Sequence, residues 1–147
     1  MPYLSTARAR RLAQAVLGAA AALSVVAVLA GCSSSPADLA IFDREQQAAD
    51  QPRSFVELPD TIYKDTIRYL GEDSIGTQYY ASEANDPQGE SVCLTVVASD
   101  DDWSTGCATS LPVEVAIASG LVATLEPDAA GGDERVGGYV SVELPAG

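Results

Sequence analysis

The first 31 residues have the layout of an export signal, and this layout decides how much of the chain is left to fold. Three arginines near the start precede an apolar run from Leu12 to Ala30. A basic start followed by an apolar stretch and small residues is typical of a secretory signal segment, which is not part of the mature fold. The run is also long enough for a membrane-spanning helix. Its many alanines and polar interruptions make it a poor permanent anchor.

The end of the run, Leu29-Ala30-Gly31-Cys32, resembles the lipobox of bacterial lipoproteins. The resemblance implies a signal peptide over 1–31 that is cut before Cys32, after a diacylglyceryl group has been attached to its sulfur. A short spacer then completes the segment 32–35. Two acyl chains hold a protein stably at a membrane. The implied location is the extracytoplasmic face of the cell membrane, with an uncleaved helix or a free Cys32 thiol as the alternatives.

Removal of 31 of the 147 residues leaves 116, which is enough for one small domain. This part holds five basic residues and all 21 acidic ones, hence a net charge of −16. Such a field repels nucleic acid and anionic surfaces and favours cations or basic partners. We therefore expect no nucleic-acid partner, and we expect a basic partner or another envelope protein besides the membrane. Plain solubility is the alternative explanation of the charge.

Lipidation of Cys32 would leave Cys93 and Cys107 as an even pair. Strands are predicted at 91–99 and 103–110, on either side of an acidic turn. An antiparallel hairpin centred near residue 100 places the two cysteines opposite each other, with both side chains on one face. Outside the cytoplasm such a pair predicts a disulfide. A redox-active pair is disfavoured because the spacing is not Cys-x-x-Cys and no basic residue lies nearby.

From Phe55 onwards short alternating apolar runs are separated by turn residues, which is typical of an all-β domain. Besides the cysteine hairpin, the predicted strands are 66–70, 77–81, 113–118, 121–125 and 139–144. The cysteine hairpin is partly apolar on both faces, so both faces need cover. We therefore predict a mostly β domain over 55–147, a small antiparallel β-sandwich or flattened barrel of six to seven strands.

The connections between these strands carry turn signals. Asp86-Pro87-Gln88-Gly89 predicts a type I turn that leads into the cysteine hairpin. Ser119-Gly120 predicts a tight two-residue connection. Residues 127–138, rich in glycine and acids, predict a loop. Within the hairpin, Val92, Leu94 and Val96 should share one face, with the disulfide and Trp103 on the other.

A helix is predicted over 36–51. Ser35 is a suitable N-cap, Pro36 suits the first turn, and Asp38 lies near the positive end of the helix dipole. Leu39 and Phe42 recur at helical spacing, and Pro52 forbids continuation. The apolar stripe is thin, so the helix could pack on the domain, lie near the bilayer or fray as a stalk.

The mature part also resembles a set of small lipoproteins of high-GC Gram-positive bacteria whose function is unassigned. The likeness rests on Asp43-Arg44-Glu45-Gln46, on Ile67-Arg68-Tyr69-Leu70-Gly71, on Val92-Cys93-Leu94, and on Trp103 followed by Gly106-Cys107. It spans most of the mature chain. It implies a fold and no activity.

Several catalytic residue patterns are missing from the sequence, although two of its 21 acidic residues could face each other as in a glycosidase. The chain contains no histidine, which removes Ser-His-Asp and Cys-His catalysis and the commonest zinc ligand. No phosphate loop, dinucleotide fingerprint or Gly-x-Ser-x-Gly elbow appears. We therefore expect no catalytic residues, no enzyme and no cofactor.

Two features nevertheless suggest a binding site. The consecutive acids Asp100, Asp101 and Asp102 could offer oxygens to calcium, although they lack the helix-loop-helix calcium pattern, and a solvated turn is the alternative. Trp103 could be a stacking platform beside them. Its alternative role is to cover the disulfide and pair with Val97. The sequence thus predicts a lipid-anchored binding or interaction module, with a calcium-dependent ligand binder second and an envelope enzyme third.

Overall fold

The computed structural model describes residues 39–145, which form eight β-strands and three short 3-10 helices. The strands are β1 (Arg68–Glu72), β2 (Gln78–Asp86), β3 (Gly89–Val97), β4 (Trp103–Ala108), β5 (Val113–Ala116), β6 (Val122–Leu125), β7 (Glu134–Val136) and β8 (Val140–Glu143). The 3-10 helices are Ala40–Asp43, Ala48–Asp50 and Lys64–Thr66. The predicted signal peptide, Cys32 and the spacer lie outside the described residues.

The strands form two antiparallel sheets of four strands each, so the prediction of a mostly β domain is confirmed. The first sheet has the order β1-β2-β3-β4 and the second the order β5-β6-β8-β7. The strand count of six to seven was too low. Within residues 39–145 no hydrogen-bonded ladder joins the two sheets, so the predicted flattened barrel is not closed.

The hairpin of β3 and β4 has the predicted register. Cys93 pairs with Cys107, and Val97 pairs with Trp103 at the end next to the turn. The disulfide between the two cysteines is present, with their Cα atoms 4.0 Å apart. Alternation along β3 then sends its side chains to two different hydrophobic clusters, because successive residues of a strand point to opposite faces.

One cluster is built by both sheets. Val92, Leu94 and Val96 of β3 lie in it with Val115 and the other inward residues of the second sheet. At Gly106 of β4 a Cβ would lie only 2.8 Å from Cγ2 of Val115. Glycine at this position therefore allows a close approach between the sheets.

A second cluster covers the opposite face of the first sheet. Its buried members include Cys93, Val97 and Tyr80. Partly buried side chains from the segment before β1 pack over them, and so does Trp103. The expectation that both faces of the cysteine hairpin are covered is therefore confirmed.

The helix predicted over 36–51 is wrong for the residues that the structure describes. From residue 39 the chain forms only the two short 3-10 helices, Ala40–Asp43 and Ala48–Asp50. Arg44 and Gln47 between them are extended, with φ −86° and −115°. Leu39 is buried in the inter-sheet cluster, and Asp50 is bound to the edge of β1. These tertiary contacts outweigh the weak helical stripe.

The turns were predicted with mixed success. Asp86 accepts a hydrogen bond from the Gln88 N–H at 2.8 Å, as expected of the turn that joins β2 and β3. The β5–β6 connection is wider than two residues, because β5 ends at Ala116 and β6 begins at Val122. The loop predicted over 127–138 contains the edge strand β7, which pairs with β8.

Candidate functional site

An ion pair between Arg44 and Asp50 covers the outer edge of β1. Asp50 Oδ1 accepts a hydrogen bond from the Tyr69 N–H at 2.6 Å, and Arg44 Nη2 donates to the Tyr69 carbonyl at 3.4 Å. Arg44 also donates two hydrogen bonds to the Asp50 carboxylate, at 2.7 and 2.5 Å. An edge strand otherwise leaves such backbone groups without a ladder partner. We call Arg44, Asp50 and the Tyr69 backbone the edge clasp.

The electrostatics of the edge clasp favour the charged form of Asp50, whose exposed fraction is only 1%. The hydrogen bond from Arg44 lowers the pKa of Asp50 from 3.8 to about 2, with help from the N–H groups of Gln47 and Tyr69 and against the effect of burial. The same bond raises the pKa of Arg44. Each oxygen of the Asp50 carboxylate accepts two hydrogen bonds, so neither is available to a ligand. The role of Asp50 is therefore structural.

Further hydrogen bonds join residues 44–46 to the turn before β1 and to the first residue of β1. Gln46 Nε2 donates to the carbonyls of Lys64 at 2.7 Å and Ile67 at 3.3 Å. Arg68 Nε donates to the Arg44 carbonyl at 3.0 Å. The stretches 43–46 and 67–71, two of those on which the lipoprotein resemblance rests, are therefore in contact with each other.

The segment before β1 is also fixed from the side of β2. The Tyr63 N–H donates to the Glu83 carbonyl at 2.9 Å, and the Asn85 N–H donates to the Thr61 carbonyl at 3.0 Å. The Thr66 hydroxyl accepts from the Glu83 N–H at 2.8 Å. The backbone around Lys64 is thus held from two directions.

An open groove of about 360 Å³ lies between the segment 51–58 and the turn that carries Lys64. We call it the basic groove. Its lining residues are Gln51, Pro52, Arg53, Ser54, Val56, Glu57, Leu58, Lys64 and Ile67. Ile67 is buried, and Val56 and Leu58 pack against the second cluster, so the groove has a partly apolar wall.

Arg53 and Lys64 give the basic groove two positive charges. Both side chains are exposed, and within residues 39–145 neither takes part in an ion pair or a side-chain hydrogen bond. Arg44 and Arg68 differ, because their guanidinium groups are occupied by the edge clasp and by backbone carbonyls. Burial raises the pKa of Tyr80 in the adjacent cluster, and the charge of Arg53 opposes that rise.

The acidic turn proposed as a calcium site is partly occupied by protein contacts. Asp102 accepts hydrogen bonds from the N–H groups of Ala118 at 2.8 Å and Ser119 at 3.3 Å, so it links the β3–β4 and β5–β6 turns. Asp101 accepts from the Ser99 hydroxyl at 2.7 Å. Within residues 39–145 no group of three or more acidic, cysteine or histidine side chains is arranged to hold a metal ion. The calcium site with Asp100, and the calcium-dependent binder built on it, stay predictions.

Trp103 is half-buried and packs against the cluster that contains Cys93 and Val97. This packing corresponds to the alternative role of Trp103, which is to cover the disulfide, and not to a stacking platform for a ligand. The disulfide beneath it is asymmetric, because Cys93 is fully buried and Cys107 is exposed.

A buried carboxylate outside the groove also has a structural role. Asp73 accepts hydrogen bonds from the N–H groups of Ile75 at 3.1 Å and Thr77 at 2.8 Å, and from the Tyr79 hydroxyl at 2.7 Å. Burial, with the Asp73 bond second, raises the pKa of Tyr79. These contacts close the β1–β2 loop.

The sequence predicted none of the residues of the basic groove as a site. No helix or strand was predicted over residues 52–65, so no pattern places their side chains together. One signal was available: only five basic residues follow position 31, and Arg53 and Lys64 both fall in this irregular, proline-containing stretch.

No helix within residues 39–145 has the length and apolar character needed to cross a membrane. Compared with protein-family models, with curated proteins and with solved structures, the chain gives no match to any of them.

Proposed function

We propose that the chain is a lipid-anchored, extracytoplasmic binding module whose ligand site is the basic groove. The observation that carries the proposal is that Arg53 and Lys64 line the same partly apolar groove, and that neither forms an ion pair with another described residue. A groove with a few polar groups on an apolar wall is the usual form of a small-ligand site.

Two further features support the location. Disulfides such as Cys93–Cys107 persist in oxidising environments outside the cytoplasm. Leu39, which is buried in the core, lies seven residues after Cys32. A fully extended chain of that length spans about 25 Å, so a lipid on Cys32 would hold the domain close to the membrane surface.

We also propose that the two sheets form a β-sandwich. Support comes from the cluster to which both sheets contribute, and from the close approach at Gly106. Two sheets that bury one face each against a common core are the usual arrangement in such a sandwich.

The anchor is tested by growing a bacterial host that expresses the full-length chain with an alkyne-tagged fatty acid. We expect the protein to carry the label and to sediment with membranes. Cys32→Ser should lose both properties, whereas the control Cys107→Ser should keep them. A labelled Cys32→Ser protein would refute the assigned lipidation site.

The binding role is tested separately, by backbone amide NMR of the full-length protein in detergent micelles. Small ligands should shift the signals of groove residues such as Gln51, Ser54 and Lys64 in a saturable way. Shifts confined to residues outside the groove would contradict the assigned site.

A further inference from the structure

We propose that the basic groove binds short peptides that end in a free carboxylate next to an apolar side chain. This inference rests on the proposed function, since it names the ligand class of the same site. Three properties of the protein support it: two charges without partners, the shape and rigidity of the groove walls, and the electrostatic field of the whole domain.

The two cations of the groove are unusual for this chain because they have no acidic partner among the described residues. After position 31 the chain has 21 acidic residues and only five basic ones, so an exposed cation has many acids to pair with. Arg53 and Lys64 nevertheless form no ion pair within residues 39–145, although Glu57 lines the same groove. A guanidinium binds a carboxylate through two parallel hydrogen bonds, and an ammonium adds a point charge. The groove therefore offers a site for one carboxylate.

The walls suit an apolar side chain beside that carboxylate. Val56, Leu58 and Ile67 provide apolar surface, and the side chains of Gln51 and Ser54 make no hydrogen bond within the described part of the chain. These two polar groups are available to a peptide backbone. The Lys64 backbone is already held by Gln46, so less conformational entropy is lost on binding.

The electrostatic field of the domain restricts the charge of the ligand. A net charge of −16 repels polyanions such as nucleic acid. A single carboxylate feels distant charges less, because the screening length at physiological salt is about 8 Å. A volume of about 360 Å³ lies at the small end of ligand pockets. A peptide of a few residues suits the small volume and the negative charge of the domain better than a folded partner or a charged polymer.

The test uses the full-length protein in detergent micelles and tripeptides ending in Val, Leu or Phe, each with a free carboxylate or a C-terminal amide. The carboxylate forms should shift the groove signals and bind at least tenfold more tightly than the amides. Arg53→Gln should weaken binding at least tenfold. Arg135→Gln removes the same charge from an exposed position on β7, and should leave binding unchanged.

Each contrary outcome has a distinct meaning. Equal binding of acids and amides would refute the ligand class and leave the groove as a binding site. Equal weakening by Arg53→Gln and Arg135→Gln would show that only the overall charge matters, and would also refute it. If no tripeptide shifts any groove signal, the inference fails, and the proposed function fails with it when uncharged and basic ligands are silent too.

Discussion

Replacement of Asp50 by asparagine tests the edge clasp directly. The substitution keeps the size of the side chain and removes its charge. In the wild type the Tyr69 N–H donates to a carboxylate oxygen of Asp50. In the variant this N–H faces a neutral amide group, and Arg44 lies beside a neutral acceptor. The first sheet should remain formed, because β1 keeps its ladder with β2. Only the edge and the segment 44–51 should loosen.

The size of the effect follows from the pKa of Asp50. Its decrease from 3.8 to about 2 means that the folded state favours the charged form by about 2 kcal/mol. Breaking a fully buried ion pair costs about 3–5 kcal/mol. The Arg44 side chain is 31% exposed and can regain water, so the cost should be lower. We expect Asp50→Asn to reduce the free energy of unfolding by about 2–3 kcal/mol, or roughly 10 °C in midpoint.

The effect should depend on pH with a defined sign. The folded-state pKa lies below the unfolded value, so the stabilisation is complete above about pH 4–5 and is lost as the pH falls towards 2. The variant lacks this titrating group. The difference in stability between wild type and Asp50→Asn should therefore be constant near neutral pH and shrink between about pH 4 and 2.

Urea unfolding followed by tryptophan fluorescence measures this difference, because Trp103 lies in the second cluster. The control is Asp60→Asn, which makes the same change of charge at an exposed residue with no side-chain hydrogen bond among residues 39–145. A loss below about 0.5 kcal/mol for Asp50→Asn, or a loss equal to that of Asp60→Asn, would refute the assigned role of the edge clasp.

Two further predictions concern the disulfide within the first sheet and the contact between the two sheets. Replacing Cys93 and Cys107 together by alanine should lower the free energy of unfolding in urea by about 3 kcal/mol, the value for a closed loop of about 15 residues. The wild-type protein in reductant should lose a similar amount of stability. An unchanged urea midpoint in both cases would contradict this prediction. Gly106→Ala should cost about 1–3 kcal/mol because the new methyl group meets Val115, whereas Gly131→Ala enters open space and should cost little. Equal thermal midpoints for the two alanine variants would count against a tight contact between the sheets.

The parts of the fold that could be predicted are those set by local alternation. In the cysteine hairpin, the pairing of residues 93 and 107 follows from the position of the acidic turn, and the two-face pattern follows from the register. Both are properties of neighbouring residues in the chain. A strand period of two then determines which side chains meet the core.

The parts that could not be predicted depend on partners distant in sequence. Asp50 was predicted to lie in the last turn of a helix, but its carboxylate is bound by Arg44 and by the Tyr69 N–H of the first sheet. Strand β7 has only three residues and exists because β8 supplies its ladder. The basic groove arises because the irregular segment 51–58 is fixed opposite Lys64. No local periodicity encodes any of these contacts.

The position of the edge clasp in the chain also determines the mechanical behaviour of the domain. If the chain is held at Cys32, a pulling force enters the described part at Leu39, whose side chain is buried between the two sheets, and then loads the bonds of Arg44 and Asp50 before any strand ladder. These bonds would be loaded one after another, while the disulfide would keep the loop between Cys93 and Cys107 from being extended. Gln46 would then release the carbonyl of Lys64 as the segment peeled away. Tension on the tether would thus act on Leu39, the edge clasp and the segment that leads to the basic groove before it reaches the ladders of either sheet.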